Sequence, residues 1–288
     1  MKLYYNCRKF FIISLLSFAV VLTGFFDLPR AQRVSSDQRV AVITFHAVSK
    51  DFEPNPTVIS QDELEKTFQL MQQRGYRPIN LEQFHGFIDG KIGVPQKAVL
   101  ITFDDGYEDN FLLAYPMAQK YNFPAVIFAV AKWFSDYPRP EPHRPHLSAD
   151  QAKTLMAKGL WSIAGHSYDG HRKVSGEKGP GSFYTTMVAD NVYRESDLEY
   201  KARLWTDVSL TAFTLEKFGV KPVDFAFPYG SYNDTIKEIL LKSGYKYFYT
   251  NDPGLNSPGQ DPKHIFRLSS APTADENLAL LDYYFGNQ

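Results

Sequence analysis

Three uninterrupted runs of apolar or β-branched residues constrain this chain most: Val40–Phe45 (VAVITF), Ala98–Phe103 (AVLITF) and Pro124–Val130 (PAVIFAV). None alternates with polar residues, so each reads as a strand buried on both faces, the pattern of a parallel sheet covered by helices. Helical patterns fall between them. Ser60-Gln61-Asp62-Glu63 is a capping box ahead of Leu64, Phe68 and Met71, and Gly75 closes that helix. Tyr76–Leu81 predicts a short strand, Leu81–Ile88 a short helix, and Asp109–Tyr121 a helix despite Pro116. Ser148 caps a further helix that stops at Gly159. Leu198, Ala202, Trp205, Val208, Ala212 and Leu215 mark a long amphipathic one ending at Gly219. Trp161–Gly165, Val223–Phe227, Lys246–Thr250 and Ile265–Ser269 predict more strands. Asn233–Ser243 and a segment opened by Thr273-Ala274-Asp275-Glu276 predict more helices. Strand and helix thus alternate about seven or eight times, which predicts an α/β fold, a distorted (β/α) barrel of about seven or eight parallel strands. A doubly wound open sheet is the alternative, but no glycine-rich phosphate fingerprint follows any strand. The proline-bearing stretches Asp51–Val58 and Lys132–Leu147 read as loops, and Arg172–Asn191 as a lid-like insertion or mobile surface loop.

The N-terminus carries a different signal. Lys2, Arg8 and Lys9 precede Phe10–Phe26, an apolar run broken only by Ser14, Ser17, Thr23 and Gly24. That is the pattern of a secretory signal, and the run is nearly long enough to span a bilayer. Residues 1–29 are therefore expected to be a signal peptide or signal anchor, 30–39 a linker, and 40–288 one catalytic domain outside the cytoplasm. Membrane contact follows if the segment is uncleaved. The single cysteine, Cys7, lies ahead of the apolar run, so the exported part forms no disulfide. Lys and Arg number 31 against 32 Asp and Glu, for a net charge of −1, which argues against a nucleic-acid partner.

Four strands deliver an unusual polar residue at the C-terminal end: His46, Asp104-Asp105, His166 and Tyr229. In a barrel of alternating strands and helices those ends form the catalytic face. Each has an ordinary explanation, from a strand-end histidine to an Asp-Asp-Gly turn. Yet adjacent buried carboxylates repel one another unless a cation or a proton compensates. His166 is followed five positions later by His171, and one carboxylate with two imidazoles makes a facial ligand set with positions left open for water.

Thr102–Gly106 (TFDDG), His166–His171 (H-S-x3-H) and Phe227–Gly230 (FPYG), in that order, resemble the polysaccharide deacetylases of carbohydrate esterase family 4. The resemblance runs from about Val40 to the end of the chain. It is nearest to the branch that de-N-acetylates poly-β-1,6-N-acetylglucosamine of biofilm matrices. That branch shares the five-residue histidine spacing and an early strand ending in aromatic-His, here Phe45-His46. The resemblance implies one divalent metal ion (Zn, Co, Ni or Fe) on Asp105, His166 and His171, with Asp104 as general base. It implies that the backbone N–H of Tyr229 stabilises the oxyanion. In the β-1,6 branch the barrel looks circularly permuted, which gives the general acid to His46 on the first strand. The rival acid is His264, although HIFRLSS lacks the family's usual leucine-x-histidine pattern. The family arginine ahead of the PYG motif is missing, since Asp224, Phe225 and Ala226 stand there, and Arg267 or another polar residue is the candidate substitute. The Asp-x-x-Asp-Trp element is also absent.

The expected function is therefore metal-dependent removal of N-acetyl groups from an N-acetylglucosamine polysaccharide at the cell surface or outside the cell, by a monomer. Peptidoglycan and chitin-type β-1,4 polymers are the rival substrates. A non-catalytic binding relative is the rival class, against which the intact Asp104, Asp105, His166 and His171 speak. A two-histidine-one-carboxylate oxygenase fits poorly, because such enzymes use a double-stranded β-helix.

Overall fold

Parallel pairing of the long apolar strands organises the computed structural model, which describes residues 33–53, 55–134 and 144–286. The expected signal segment 1–29, and with it the membrane contact, lies outside the described residues, as does 135–143 of the proline-bearing loop. No helix among the described residues is long and apolar enough to cross a membrane.

Tyr247–Tyr249, Asp224–Ala226, Trp161–Ser167, Ala125–Val130, Ala98–Asp105 and Val40–Phe45 lie side by side in that order, every pair parallel. The two ends of this row are joined by the chain segment after residue 260. Phe248 N–H and Thr250 N–H donate to Pro262 and Ile265 carbonyls, while Leu268–Ser269 pairs in parallel with Ile43 and Thr44. The sheet is thereby closed into a distorted barrel. Leu255–Asn256 is the one antiparallel member among the described residues, set against Val40 and Ala41. Arg77–Pro78 adds a parallel stub on Ala98–Val99, all that forms of the strand expected at Tyr76–Leu81.

Strand periodicity sends alternate residues of the sheet to opposite sides. Ala41, Ile43, Val99, Ile101 and Ile127 pack outward with Leu64, Phe68 and Leu278 of the helices. Their neighbours Val42, Leu100, Val126 and Ala164 face the interior, which Phe84 and Phe87 of the helix Leu81–Ile88 help to fill. The same two-residue step, continued to the strand ends, assigns His46, Asp104 and His166 to the interior side.

Helices form where capping and periodicity place them, with instructive departures. Ser148 and Gln151 make a complete capping box, as do Ser196 and Glu199 ahead of the long helix Asp197–Lys217. At Ser60 only half forms: its hydroxyl accepts from Glu63 N–H, but the Glu63 carboxylate accepts from Ala274 N–H, at the start of the last helix. Tertiary capping displaces the local bond. The helix expected over Asp109–Tyr121 is a π turn at Asn110–Ala114 followed by an α-helix over Tyr115–Tyr121, a widening next to Pro116, which has no N–H to donate. The stretch expected as a lid-like insertion or mobile surface loop contains an antiparallel hairpin, Lys173–Gly176 with Gly179–Ser182, and its Phe183 and Tyr184 are buried.

Candidate metal centre and active site

All eight residues of Ala98–Asp105 are buried, and the strand ends by turning sharply. Asp105 and Gly106 both adopt the left-handed conformation, at φ 70° and 74°. A Cβ at Gly106 would stand 3.0 Å from the Cβ of Ala129 on the adjoining strand, so glycine alone lets the chain leave this closely. On the next strand but one the register slips: Ala129 pairs with Gly165, but Val130 pairs with Ser167. His166 is the extra residue, and such a bulge re-aims a side chain at a strand end.

His166 Nδ1 lies 2.8 Å from the Ala226 carbonyl, which can only accept, so the proton sits on Nδ1 and Nε2 is left facing the site. His166 Nε2 is 3.5 Å and His171 Nε2 3.1 Å from Asp105 Oδ1. One donor atom from each of the three residues falls within a span of 4.8 Å. Asp105 Oδ1 is buried and has no hydrogen-bond partner among the described residues; the His166 contact is at the limit of bonding length. A buried carboxylate oxygen left open, with two imidazole nitrogens turned toward it, fits a divalent cation. Burial works to raise the Asp105 pKa. The nearness of His166 and the charges of His171, His166 and His46 overcome it, and the carboxyl is held well below the usual range. His171 is pushed down, by burial first and then by His166, against the pull of Asp105.

Asp104 has different company. Arg267 Nη1 donates to its Oδ1 at 2.8 Å, and the same guanidinium is fixed by the Thr250 carbonyl at 2.7 Å and Asn251 Oδ1 at 2.6 Å. Burial works to raise its pKa as well, but Arg267, His166 and His46 draw it below the ordinary value. The guanidinium that meets Asp104 thus comes from near the other end of the chain, on a side chain only 1% exposed.

Tyr229 stands on the short turn Pro228–Gly230 with φ 59°, a strained position for a residue with a side chain. Its ring packs on His171 with centroids 4.5 Å apart, and its hydroxyl reaches the His171 carbonyl at 3.4 Å. His46 follows the Val40–Phe45 strand, and its charge acts on both aspartates. Its carbonyl is held at 2.8 Å by the side-chain amide of the fully buried Asn110. His264 is engaged elsewhere: its Nε2 lies 3.1 Å from Asp252 Oδ2, and its ring packs on Phe266.

The five residues Asp104, Asp105, His166, His171 and Tyr229 therefore converge with His46, and His264 stays apart. A cavity of about 200 Å³ opens beside them, lined by Asp105, His171, Tyr107, Trp133, His146 and others. Tyr107 was not singled out in the sequence, although it directly follows TFDDG. Burial, then the charge of Asp105, raises its phenol pKa and keeps it a neutral donor. Asn110 gave no signal either, since one buried amide in a helical stretch reads as any polar residue.

The polysaccharide deacetylase family model matches residues 91–248, over half of the chain. That stretch holds Asp104, Asp105, His166, His171 and Tyr229, but neither His46 nor Arg267. A poly-β-1,6-N-acetyl-D-glucosamine N-deacetylase of Escherichia coli (strain K12) is 29% identical over 212 residues, which cover 68% of this chain and 31% of that protein. The chain thus spans about a third of that relative's length. A protein of the same name from Staphylococcus aureus (strain MRSA252) is 24% identical over 220 residues, covering 76% of this chain and 70% of its own. Among solved structures, a de-N-acetylase from Aggregatibacter actinomycetemcomitans superposes with a TM-score of 0.77 at 26% identity, covering 86% of this chain and 100% of its own. With the fold shared, the strand-end aspartates and histidines assembled and over half the sequence matched, the chain belongs to the polysaccharide deacetylase family.

Proposed function

We propose that this chain is a metal-dependent hydrolase that removes N-acetyl groups from N-acetylglucosamine residues of a polysaccharide outside the cytoplasm. The observation that carries the reading is the division of labour between neighbours. Asp105 Oδ1 is shared by two imidazoles and otherwise unsatisfied, while Asp104 is separately paired with Arg267.

In this reading Asp105, His166 and His171 hold one divalent ion. Bound there, the ion lowers the pKa of a water and polarises the acetamide carbonyl. Asp104, kept ionised by Arg267, takes the water's proton on a carboxylate oxygen as general base. The backbone N–H of Tyr229, in its left-handed turn, donates to the oxygen that becomes negative as the carbonyl carbon turns tetrahedral. His46 gives its proton to the departing amine nitrogen, and the products are acetate and a glucosamine unit. The contact of His264 with Asp252 favours His46 in that role. The first-strand location of His46 is what a permuted barrel requires.

Poly-β-1,6-N-acetylglucosamine is the polymer proposed. The E. coli and S. aureus relatives carry that substrate in their names, and the five-residue histidine spacing is the one that branch uses. Residues 1–29 act as signal or anchor, 30–39 as linker and 40–288 as the catalytic domain, working as a monomer. The test separates binding from turnover. Asp104→Asn should retain the cation, measured by metal analysis after dialysis, and lose acetate release by a factor of 100 or more, on the order expected of a general base. His166→Ala should lose both. Loss of the cation in Asp104→Asn with retention in His166→Ala would reverse the assignments.

A further inference from the structure

Asp207 lies midway along the helix Asp197–Lys217, where a buried carboxylate is unfavourable unless something compensates it. It is 4% exposed and its oxygens are fully engaged away from its own helix. Oδ1 accepts from Tyr168 N–H at 3.1 Å and Oδ2 from Asp169 N–H at 2.8 Å. The Tyr184 hydroxyl, from the insertion, donates to Oδ1 as well. Tyr168 and Asp169 belong to the connection that carries the chain from His166 to His171. The next residue, Gly170, lies against the same tyrosine: a Cβ there would stand 2.7 Å from both Cζ and Oη of Tyr184. Tyr184 is completely buried, and its own carbonyl is held by the Tyr200 hydroxyl. On the other side of the connection, Lys132 N–H donates to the Tyr168 carbonyl at 3.1 Å.

We propose that Asp207 and Tyr184 form a clamp that fixes the His166–His171 connection and so sets where the His171 imidazole stands relative to Asp105 and His166. The inference rests on the metal reading above and extends it to two residues outside the site. Both are positioning residues. The carboxylate draws two backbone N–H groups inward, and Gly170 yields the room for the tyrosine that completes its hydrogen bonding. Without the acceptor, two backbone N–H groups would lose their partner, and the connection would be free to move to satisfy them elsewhere. His171 closes that connection, so the movement would be passed to a ligand. The insertion then serves the site as a buried brace.

The experiment measures Co²⁺ affinity by competition with a chromophoric chelator, together with the Co²⁺ d–d absorption spectrum, in the full chain. Variants are Asp207→Ala, Asp207→Asn, Tyr184→Phe, His166→Ala and Asn277→Ala. Asn277 is a buried residue whose side chain bonds to the Ala271 backbone, away from the His166–His171 connection, so its variant controls for general destabilisation. Affinity should fall about 10–100-fold in Asp207→Ala, the range seen when a ligand's support is removed. It should fall less in Asp207→Asn and Tyr184→Phe, with altered spectra in all three, and stay within about twofold of wild type in Asn277→Ala. If His166→Ala abolishes binding while the Asp207 and Tyr184 variants keep wild-type affinity and spectrum, the clamp is refuted and the metal reading stands. If wild type shows no His166-dependent binding, the metal reading fails and takes the clamp with it. Should Asp207→Ala not fold, Asp207→Asn and Tyr184→Phe decide, and wild-type affinity in both refutes the proposal.

Discussion

Asp104 and Asp105 are neighbours in the chain, yet their carboxylates meet different partners because Asp105 turns into the left-handed region while Asp104 keeps the strand's interior direction. One faces imidazoles, the other a guanidinium. The charge pair Asp104–Arg267 is almost completely buried, and removing one half leaves the other desolvated and alone. Arg267→Met should therefore cost about 3–5 kcal/mol in denaturant unfolding. Adding Asp104→Asn to it should recover part of that loss, because no orphaned charge remains. A double variant no more stable than Arg267→Met would show that the ion pair is not what the arginine stabilises. A second comparison concerns the proton donor: His46→Ala should reduce acetate release at least 100-fold and His264→Ala by less than threefold, by the usual scale of general acid catalysis. The opposite ranking would give the role to His264. Asp104, Asp105 and His166 were legible in sequence because each stands at the end of a recognisable strand, and His171 because it follows His166 at a five-residue spacing. Arg267 was legible only as a candidate. Nothing local distinguishes an arginine that will be buried against an aspartate 163 positions earlier.

Strands were the most legible elements, since burial on both faces leaves continuous apolar runs. Their outer ends were less so: Trp161–Ser167 continues past the expected stop at Gly165, and the bulge at His166 is a register event that needs the neighbouring strand to exist. The packing of the insertion was not legible for a related reason. Its Gly- and Ser-rich composition signals turns, and the burial of Phe183 and Tyr184 depends on a helix that comes later in the chain. The helix Leu81–Ile88 is tied down in a way that pH can test. Asp89, its C-cap, receives Lys246, Lys91 and the Tyr247 hydroxyl. Burial works to raise its pKa, but those partners together lower it to about 2 from 3.8. A depressed carboxylate stabilises the fold above its unfolded pKa and stops doing so as pH falls through the folded value. Lys246 is half exposed, so screening reduces the contribution to about 1 kcal/mol. Asp89→Asn should lower stability by about that amount at pH 7, and the gap should close between about pH 4 and pH 2. A gap that persists unchanged at pH 2 would mean the charge contributes nothing.

At the scale of the whole molecule, the site is assembled by the ring of strands. The first strand brings His46, the second both aspartates, and the segment that joins the ends of the row supplies Arg267. Alternation of strand and helix predicted a barrel. The strand expected at Ile265–Ser269 forms only as a bridge at Ile265 and a pair at Leu268–Ser269, and its role in joining the two ends of the row was not legible, because it depends on partners far away in the chain. The six converging residues come from widely separated parts of the chain, so a fold that failed to close would scatter them. The most direct test of the account is acetate release by the chain from poly-β-1,6-N-acetylglucosamine, chitooligosaccharides and peptidoglycan, each with and without a chelator. The prediction is release that is greatest from the β-1,6 polymer, abolished by chelation and restored by a divalent cation. Acetate from none of the three, or release indifferent to chelator, would contradict it.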